Sequence, residues 1–383
     1  MDRDMDKDLC FMRRALELAK RGEGFVEPNP MVGCVLIQNG TIIGEGFHRK
    51  FGEAHAEVEA IRDASNRFGQ QSIVGATCYV TLEPCSHYGK TPPCVLAIQS
   101  SGIRRLVVAM RDPNPVVNGQ GLKILRDSGI EITEPILEDD ARHLNAPYLT
   151  LLKKHRPWII AKWAMTLDGR LASRNGNSQW ISGEASRKMV HQLRSRMDAI
   201  MIGSRTARLD DPALTVRLDG DTVIPRTPIR IILDSHALLP LNSQLVRTAH
   251  AVPVLIVVDS SAPSERLNLL REAGCEILPI FSNNSEPNHY HRTEILMKSL
   301  ADRKITNLLV EGGSRLFGTL FDMRFIDEVH VFIAPKLIGG ETACPVVGGL
   351  GIPEMNAARK LESPKIQIME QDIYIHGRIR YSD

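Results

Sequence analysis

A chain of 383 residues, 43% hydrophobic and 24% charged, is longer than one compact domain and has a globular composition, which excludes disordered and fibrous classes. Its formal net charge of +2, with basic residues interleaved among acids, excludes the basic stripe that holds nucleic acid. The seven cysteines are odd in number, and no signal-like apolar core or membrane-length apolar run accompanies them, so a disulfide framework is not expected; the protein is expected in the cytoplasm, with small-molecule partners, no nucleic acid and no membrane.

In chain order, Leu9, Met12, Ala15, Leu16 and Ala19 fall at helical spacing, and Gly22 and Gly24 end the run. "MVGCVLIQNGTIIGEGFH" then holds two apolar runs around Asn39-Gly40, the signal for a tight β-hairpin. A helix opens near His55 in "AHAEVEAI", "ATCYVTLEPC" reads as a strand running into Cys85, and "RRLVVAMRDPNP" as a strand ended by turn residues. This alternation predicts an α/β layer structure for a first domain over residues 1–150. Between Ala141 and Pro157 the pattern breaks into a polar, proline-bearing, basic segment, where the boundary is placed.

The second domain, residues 155–383, holds the strand-like runs "WIIAKWAM", "AIMIG", "IRIILDS", "VPVLIVVD", "NLLVEGG" and "EVHVFIA". Helical patterns such as "SRKMVHQLRSRM" and "TEILMKSLADR" alternate with them, so it too reads as α/β. "KIQIMEQDIYIHGRIR" predicts a terminal hairpin.

The first chemical constellation joins His55 and Glu57 to Cys85 and Cys94, the latter pair in "PCSHYGKTPPC". Zinc takes imidazole and thiolate ligands, and a catalytic zinc uses three so that a fourth position serves water or substrate. One histidine and two cysteines meet that count, with Glu57 as a carboxylate able to move protons beside the metal. Nucleobase deaminases carry His-x-Glu followed by Pro-Cys-x-x-Cys; here the two cysteines lie farther apart. Alone, a His-x-Glu is a surface accident and a distant cysteine pair is core, but their joint placement at a helix start and a strand exit favours a metal. A closed structural zinc stays open, because the sequence does not display the fourth position.

"EPNPMVGCVL", "GFHRKFGEAHAEVEA" and "VTLEPCSHYGKTPPC" resemble the deaminase half of the bifunctional riboflavin-biosynthesis deaminase/reductase family, the longer cysteine spacing included. The resemblance implies a cytidine-deaminase-like three-layer domain with one Zn2+ per chain on His55, Cys85 and Cys94, and Glu57 as proton shuttle. It further implies that Asn29, His48, Lys90 and Thr91 contact a ribosylaminopyrimidine phosphate. The ordinary readings are an Asn-Pro turn for Asn29 and a solvated loop charge for Lys90.

"NLLVEGGSRLFGTLF" offers a strand, an acid, two glycines and a helix from about Ser314, a place where backbone amides and a helix N-terminus could meet phosphate. The Rossmann spacing is absent, and by itself the stretch reads as an ordinary strand-to-helix turn. Together with "AKWAMTLDGRLA", "GNSQWISG" and "HQLRSRMDAIMIGSRTARLDDPALTVR" it resembles the reductase half of the same family. That resemblance implies a dihydrofolate-reductase-like α/β domain that uses NADPH. The cofactor would touch Ala164, Trp180, Thr206, Asp210, Ser235, Gly313, Ser314, Arg315, Leu316, Phe317, Gly318 and Thr319. Substrate would touch Lys162, Ser178, Arg194, Leu214, Arg217 and Glu311. The ordinary readings are core packing for Trp180 and a cap before Pro212 for Asp210.

The implied chemistry is hydrolytic deamination of 2,5-diamino-6-ribosylamino-4(3H)-pyrimidinone 5′-phosphate, then NADPH-dependent reduction of its ribosyl to a ribityl side chain, by a homo-oligomer (dimer or tetramer). "RLDGDTVIPRT" and "FSNNSEPNHYHRTE" read as variable loops. His289 and His291 lack a nearby third ligand and read as part of a solvated loop. Two rival classes remain: a nucleic-acid-editing deaminase, opposed by the near-neutral charge, and a non-catalytic zinc protein, which a closed four-ligand site would reveal.

Overall fold

The structure is a computed structural model that describes residues 2–220, 223–281 and 289–381. It divides into two compact units, Met1–Lys154 and His155–Asp383.

The first unit runs α1 (Asp2–Ala19), β1 (Gly33–Gln38), β2 (Thr41–Phe47), α2 (Ala56–Phe68), β3 (Thr77–Val80), α3 (Cys94–Ser101), β4 (Arg105–Val108), α4 (Gln120–Asp127), β5 (Glu131–Thr133), α5 (Glu138–Leu144) and α6 (Ala146–Lys154). Its sheet has the order β2-β1-β3-β4-β5. On one face α1 and α5 bury Met12, Leu16 and Ala141 against Val35, Tyr79 and Val107. On the other, α2, α3 and α4 bury Ala60, Ile98 and Leu122 against Leu36, Val80 and Leu106. The result is three layers, α/β/α. The hairpin turn falls at Asn39 and Gly40, with φ of 52° and 78°, as a right-twisted two-residue loop requires.

Two expectations need correction. The strand expected to reach Cys85 ends at Val80; Thr81 and Glu83 still donate to the Gly33 and Met110 carbonyls, but Pro84 has no amide with which to carry pairing on to Cys85. The segment from Ala141 to Pro157 is also more ordered than its composition implies. It continues α5 and forms α6, in which Ala146 and Thr150, four residues apart, pack inward while Lys153 and Lys154 stand at the C-terminal end.

The second unit runs β6 (Trp158–Thr166), β7 (Arg170–Ala172), α7 (Glu184–Arg194), β8 (Ala199–Gly203), α8 (Ser204–Asp210), β9 (Ile229–Leu233), α9 (Gln244–Arg247), β10 (Val254–Asp259), α10 (Ser264–Glu272), β11 (Glu276–Ile280), α11 (His289–Asp302), β12 (Asn307–Val310), α12 (Ser314–Asp322), β13 (Ile326–Ala334), β14 (Cys344–Pro345), β15 (Lys360–Met369) and β16 (Asp372–Arg380). Nine strands form one sheet in the order β11-β10-β9-β8-β12-β6-β13-β16-β15. The pairings from β11 to β13 are parallel, and β16 and β15 add antiparallel to them. Parallel strands need both faces covered. Leu296, Leu300, Phe317 and Leu320 of α11 and α12 cover one face, and Ala207, Leu245 and Leu270 of α8, α9 and α10 cover the other. Residues 282–288 within "FSNNSEPNHYHRTE" and 221–222 within "RLDGDTVIPRT" lie outside the described residues. His289 and His291 are not in a loop but in α11, and the His289 ring packs at a tilt against that of Tyr290 with centroids 4.1 Å apart.

Candidate functional site

In the first unit, His55 immediately precedes α2 and Cys94 is the first residue of α3, so two helix N-termini open on one point. Cys85 arrives there on the extended segment after β3. His55 Nδ1 lies 3.5 Å from Cys85 Sγ and 3.3 Å from Cys94 Sγ, and the Cys94 backbone N–H donates to Cys85 Sγ at 3.3 Å. Tetrahedral zinc has Zn–S of about 2.3 Å and Zn–N of about 2.0 Å, hence sulfur-to-nitrogen edges of about 3.5 Å. The donors therefore already stand at the spacing one zinc ion demands. Among the described residues, no fourth histidine, cysteine or carboxylate joins this group, which argues against a closed structural site.

The electrostatics agree with that reading. The Cys94 thiol donates to Cys85 and pulls it down to about 4, with His55 helping, while the same bond and burial push Cys94 well up. The pair thus favours negative charge on Cys85, which a bound cation would neutralise. Glu57, one residue into α2, is 3% exposed. Burial, and then the negative Cys85, push its carboxyl above the ordinary carboxylate range, which suits a group that must both accept and return a proton.

Asn29 and His48 form one wall of this site. The Asn29 amide donates to His48 Nε2 at 3.2 Å, and His48 Nδ1 donates to the Ala54 carbonyl at 3.1 Å, which fixes the tautomer. Burial lowers the His48 pKa, which disfavours the charged ring, and the ring meets that of His55 edge-on at 5.3 Å. Lys90 and Thr91 sit in the loop between the two cysteines. Lys90 is exposed, with its ammonium 4.0 Å from the Phe51 ring centre.

Sequence reasoning missed Glu83. This 4% exposed carboxylate accepts backbone N–H groups from Asp112, Gly119, Gly121 and Leu122 at 3.0–3.4 Å. It thereby ties the segment leading to Cys85 to the loop before α4. Its place in "TLEPC" was visible, but its partners are backbone amides, which leave no side-chain pattern.

In the second unit, one cavity of about 1040 Å³ collects Lys162, Ala164, Ser178, Trp180, Arg194, Thr206, Asp210, Leu214, Arg217, Ser235, Glu311, Gly313, Ser314, Arg315, Leu316, Phe317 and Thr319. At its floor Glu311 accepts from Arg194 Nε at 2.5 Å, from Arg194 Nη2 at 2.9 Å and from Lys162 Nζ at 3.4 Å. Burial opposes ionisation of Glu311, yet the two cations outweigh it and hold the carboxyl at about 2. Burial lowers Lys162, against the pull of Glu311. Trp180 is 66% exposed at the cavity, with the Arg187 guanidinium 4.9 Å over its ring, so core packing does not explain it. Asp210 ends α8 without capping it and hydrogen-bonds Ser178.

Gly312 and Gly313 adopt φ of 125° and 86°, which turns the chain from β12 into α12 and leaves the first amides of α12 open to the cavity. A helix N-terminus exposed in a cavity of this volume fits a dinucleotide phosphate. Gly318 departs from the expected cofactor set. It does not line the cavity, and a Cβ there would lie 2.3 Å from the Gly348 carbonyl carbon, so close backbone packing explains the glycine. The Phe317 side chain is likewise buried in the core, 0% exposed, against Trp163.

Comparison with known proteins adds the family. Residues 157–375 match the family described as the RibD C-terminal domain, and residues 5–110 match the cytidine and deoxycytidylate deaminase zinc-binding region. The riboflavin biosynthesis protein RibD of Aquifex aeolicus is 39% identical over 98% of this chain and 99% of its own length. That of Escherichia coli K12 is 37% identical over 97% of this chain and 99% of its own. Among solved structures, Acinetobacter baumannii RibD superposes with a TM-score of 0.84 at 35% identity, covering 98% of this chain and all (100%) of that one. The Thermotoga maritima diaminohydroxyphosphoribosylaminopyrimidine deaminase/5-amino-6-(5-phosphoribosylamino)uracil reductase gives 0.81 at 34% identity, with 98% and 100% covered. This chain therefore belongs to the RibD family of bifunctional riboflavin-biosynthesis enzymes, with a zinc-dependent, cytidine-deaminase-like unit and an NADPH-dependent, dihydrofolate-reductase-like unit.

Proposed function

We propose that residues 1–150 perform the deamination and residues 155–383 the reduction, one after the other, on the same pyrimidine nucleotide. The first substrate is 2,5-diamino-6-ribosylamino-4(3H)-pyrimidinone 5′-phosphate, in keeping with the Thermotoga maritima relative. The observation that carries the reading is the His55, Cys85 and Cys94 donor set at zinc spacing beside the buried Glu57.

His55, Cys85 and Cys94 hold the zinc, which when bound supplies the acidity that makes water a nucleophile near neutral pH. Glu57 takes one proton of the attacking water and delivers it to the pyrimidine ring nitrogen, then takes the second from the hydroxyl now on C2 and gives it to the 2-amino group, so that the C2 carbonyl forms as the C–N bond breaks and ammonia leaves. Asn29 orients the pyrimidine edge through its amide oxygen and the N–H not given to His48, His48 holds Asn29 in place and meets the substrate with its ring, and Lys90 and Thr91 meet the ribosyl phosphate from the loop.

In the second unit, Ala164, Trp180, Thr206, Asp210, Ser235 and the 313–319 segment hold NADPH, which supplies hydride to C1′ of the ribosyl group in its ring-opened form. Gly318 serves that segment through packing. Lys162, Arg194 and Glu311 form a fixed charged floor, and with Ser178, Leu214 and Arg217 they orient the substrate. Arg217 offers the guanidinium fork that suits phosphate.

We also assign the protein to the cytoplasm as a homo-oligomer, dimer or tetramer. None of the seven cysteines is in a disulfide, which suits a reducing compartment. Among the described residues, no helix is long and apolar enough to cross a membrane. Ile366 and Ile368, 64% and 71% exposed, lie on β15 at the open edge of the large sheet, a surface that self-association covers. Light scattering at working concentration checks the assembly; a monomer contradicts it.

The test of the assignment is Glu57→Gln. Deamination is expected to fall about 1,000-fold with zinc retained, while reduction of pre-deaminated substrate continues at the parent rate. Loss of both activities would contradict two separate sites.

A further inference from the structure

The second unit contains another set of metal-type donors, none of which lines the reductase cavity. The antiparallel ladder of β13 and β16 sets Glu328 opposite Arg378, His330 opposite His376, and Phe332 opposite Tyr374. Opposed residues share a sheet face, as do residues two apart on one strand, so Glu328, His330 and His376 converge. One ligand atom from each lies within 4.8 Å of the others. His330 Nε2 is 3.0 Å from Glu328 Oε1, and the His330 and His376 rings stack at 5.2 Å with 14° between their planes.

A histidine beside a glutamate is, alone, an ordinary satisfied pair. Two further observations point to more. Glu328 and His330 are braced from behind: Trp158 Nε1 donates to Glu328 Oε2 at 3.3 Å, and the Tyr374 hydroxyl lies 2.6 Å from His330 Nδ1. Partners of this kind orient metal-binding imidazoles and carboxylates and fix their tautomers. Moreover, His376 is only partly exposed, yet among the described residues its ring makes no hydrogen bond, and it stands parallel to its neighbour with its nitrogens uncommitted.

We propose that Glu328, His330 and His376 form a second metal site, for a divalent transition ion of the zinc class. Two imidazoles and one carboxylate suit Zn2+, Co2+ or Ni2+ and not Mg2+ or Ca2+, which prefer oxygen. On binding, the His330 proton resides on Nδ1 and is donated to the Tyr374 oxygen, while Nε2 turns its lone pair to the ion. Glu328 contributes a carboxylate oxygen and His376 a ring nitrogen. Ligand edges in such sites are about 3.3 Å, so the remaining closure falls to side-chain rotation, which no hydrogen bond restrains at His376. Arg378, opposite Glu328 and 4.9 Å over the Trp158 ring, adds positive charge, so this site is weaker than the thiolate site and its ion leaves first under chelation. The ion would tie β13 to β16.

The inference stands apart from the deaminase assignment, and one experiment separates them. Purified full-length protein is dialysed to equilibrium against micromolar Zn2+, and zinc per chain is measured for the parent, His376→Gln, His330→Gln and Cys94→Ser. The proposal expects two zinc ions per parent chain and one in each histidine variant, with deamination unchanged. Cys94→Ser should lose the other ion and keep this one. Co2+ loading gives an independent signature, because the thiolate site shows sulfur-to-cobalt charge-transfer absorption and the second site does not. A parent chain holding one zinc, or a second zinc that both histidine variants keep, overturns the proposal. A parent with two, from which Cys94→Ser removes none, leaves it standing and contradicts the deaminase zinc assignment instead. Because His376→Gln replaces a partly exposed ring that makes no hydrogen bond, it should fold even if His330→Gln does not.

Discussion

Arg194 grips Glu311 with two hydrogen bonds, Nε to Oε1 at 2.5 Å and Nη2 to Oε2 at 2.9 Å, joining the end of α7 to the residue after β12 at the cavity floor. Lys162 approaches the same carboxylate at 3.4 Å. These three groups, held in one place, make a rigid floor whose integrity depends on the one anion.

Glu311→Ala leaves Arg194 and Lys162 buried without an anion. Loss of one partner from a buried pair costs about 3 kcal/mol, so the reductase unit should melt earlier and reduction should fall at least about tenfold, while deamination persists. Thermal unfolding and separate assays of the two half-reactions check this.

The same carboxylate sets an acid dependence. Its pKa is about 2 in the folded protein, against an ordinary 4.5. A lowered folded pKa contributes stability above the unfolded value that is lost as pH falls through the folded value. Stability of the reductase unit should therefore decline between about pH 4.5 and about pH 2, more steeply in the parent than in Glu311→Gln. Denaturant titrations across that range measure the two slopes; equal slopes would contradict it.

Glu83→Ala should destabilise the first unit by about 3 kcal/mol, because four backbone amides lose a charged acceptor. Deamination should fall while reduction holds. Unfolding monitored together with zinc content distinguishes a loosened loop from a missing metal.

Gly318→Ala should destabilise the second unit by about 2 kcal/mol, since the new Cβ would sit 2.3 Å from the Gly348 backbone. If Gly318 instead served the cofactor directly, NADPH affinity would change with stability intact, and calorimetric titration separates the two.

What the sequence displayed, and what it withheld, follows from where the information lies. Helix α1, the Asn39-Gly40 turn and the convergence of His55, Cys85 and Cys94 are legible because each depends on local periodicity, a dipeptide or a compact motif. Strand β3 is shorter than expected because Thr81 and Leu82 keep the strand-like composition past Val80, where the strand ends. That Cys94 starts α3 was hidden by the Pro-Pro before it, which reads as loop but also suits a helix start. His289 and His291 were read as loop because their surroundings are polar, although α11 begins there. Glu83 acts on backbone amides, and His330 meets His376 only when two strands pair, so neither relationship has a signature along the chain.

The central claim is that one chain holds two separable active sites acting in order. The most direct test is mass spectrometry of the diaminopyrimidinone ribosyl phosphate after incubation with zinc-loaded protein, first without and then with NADPH. The account predicts a gain of about one mass unit without the cofactor, from exchange of amino for oxo, and about two more with it. An unchanged mass with zinc bound would contradict the deaminase assignment, and a first gain without the second would contradict the reductase assignment.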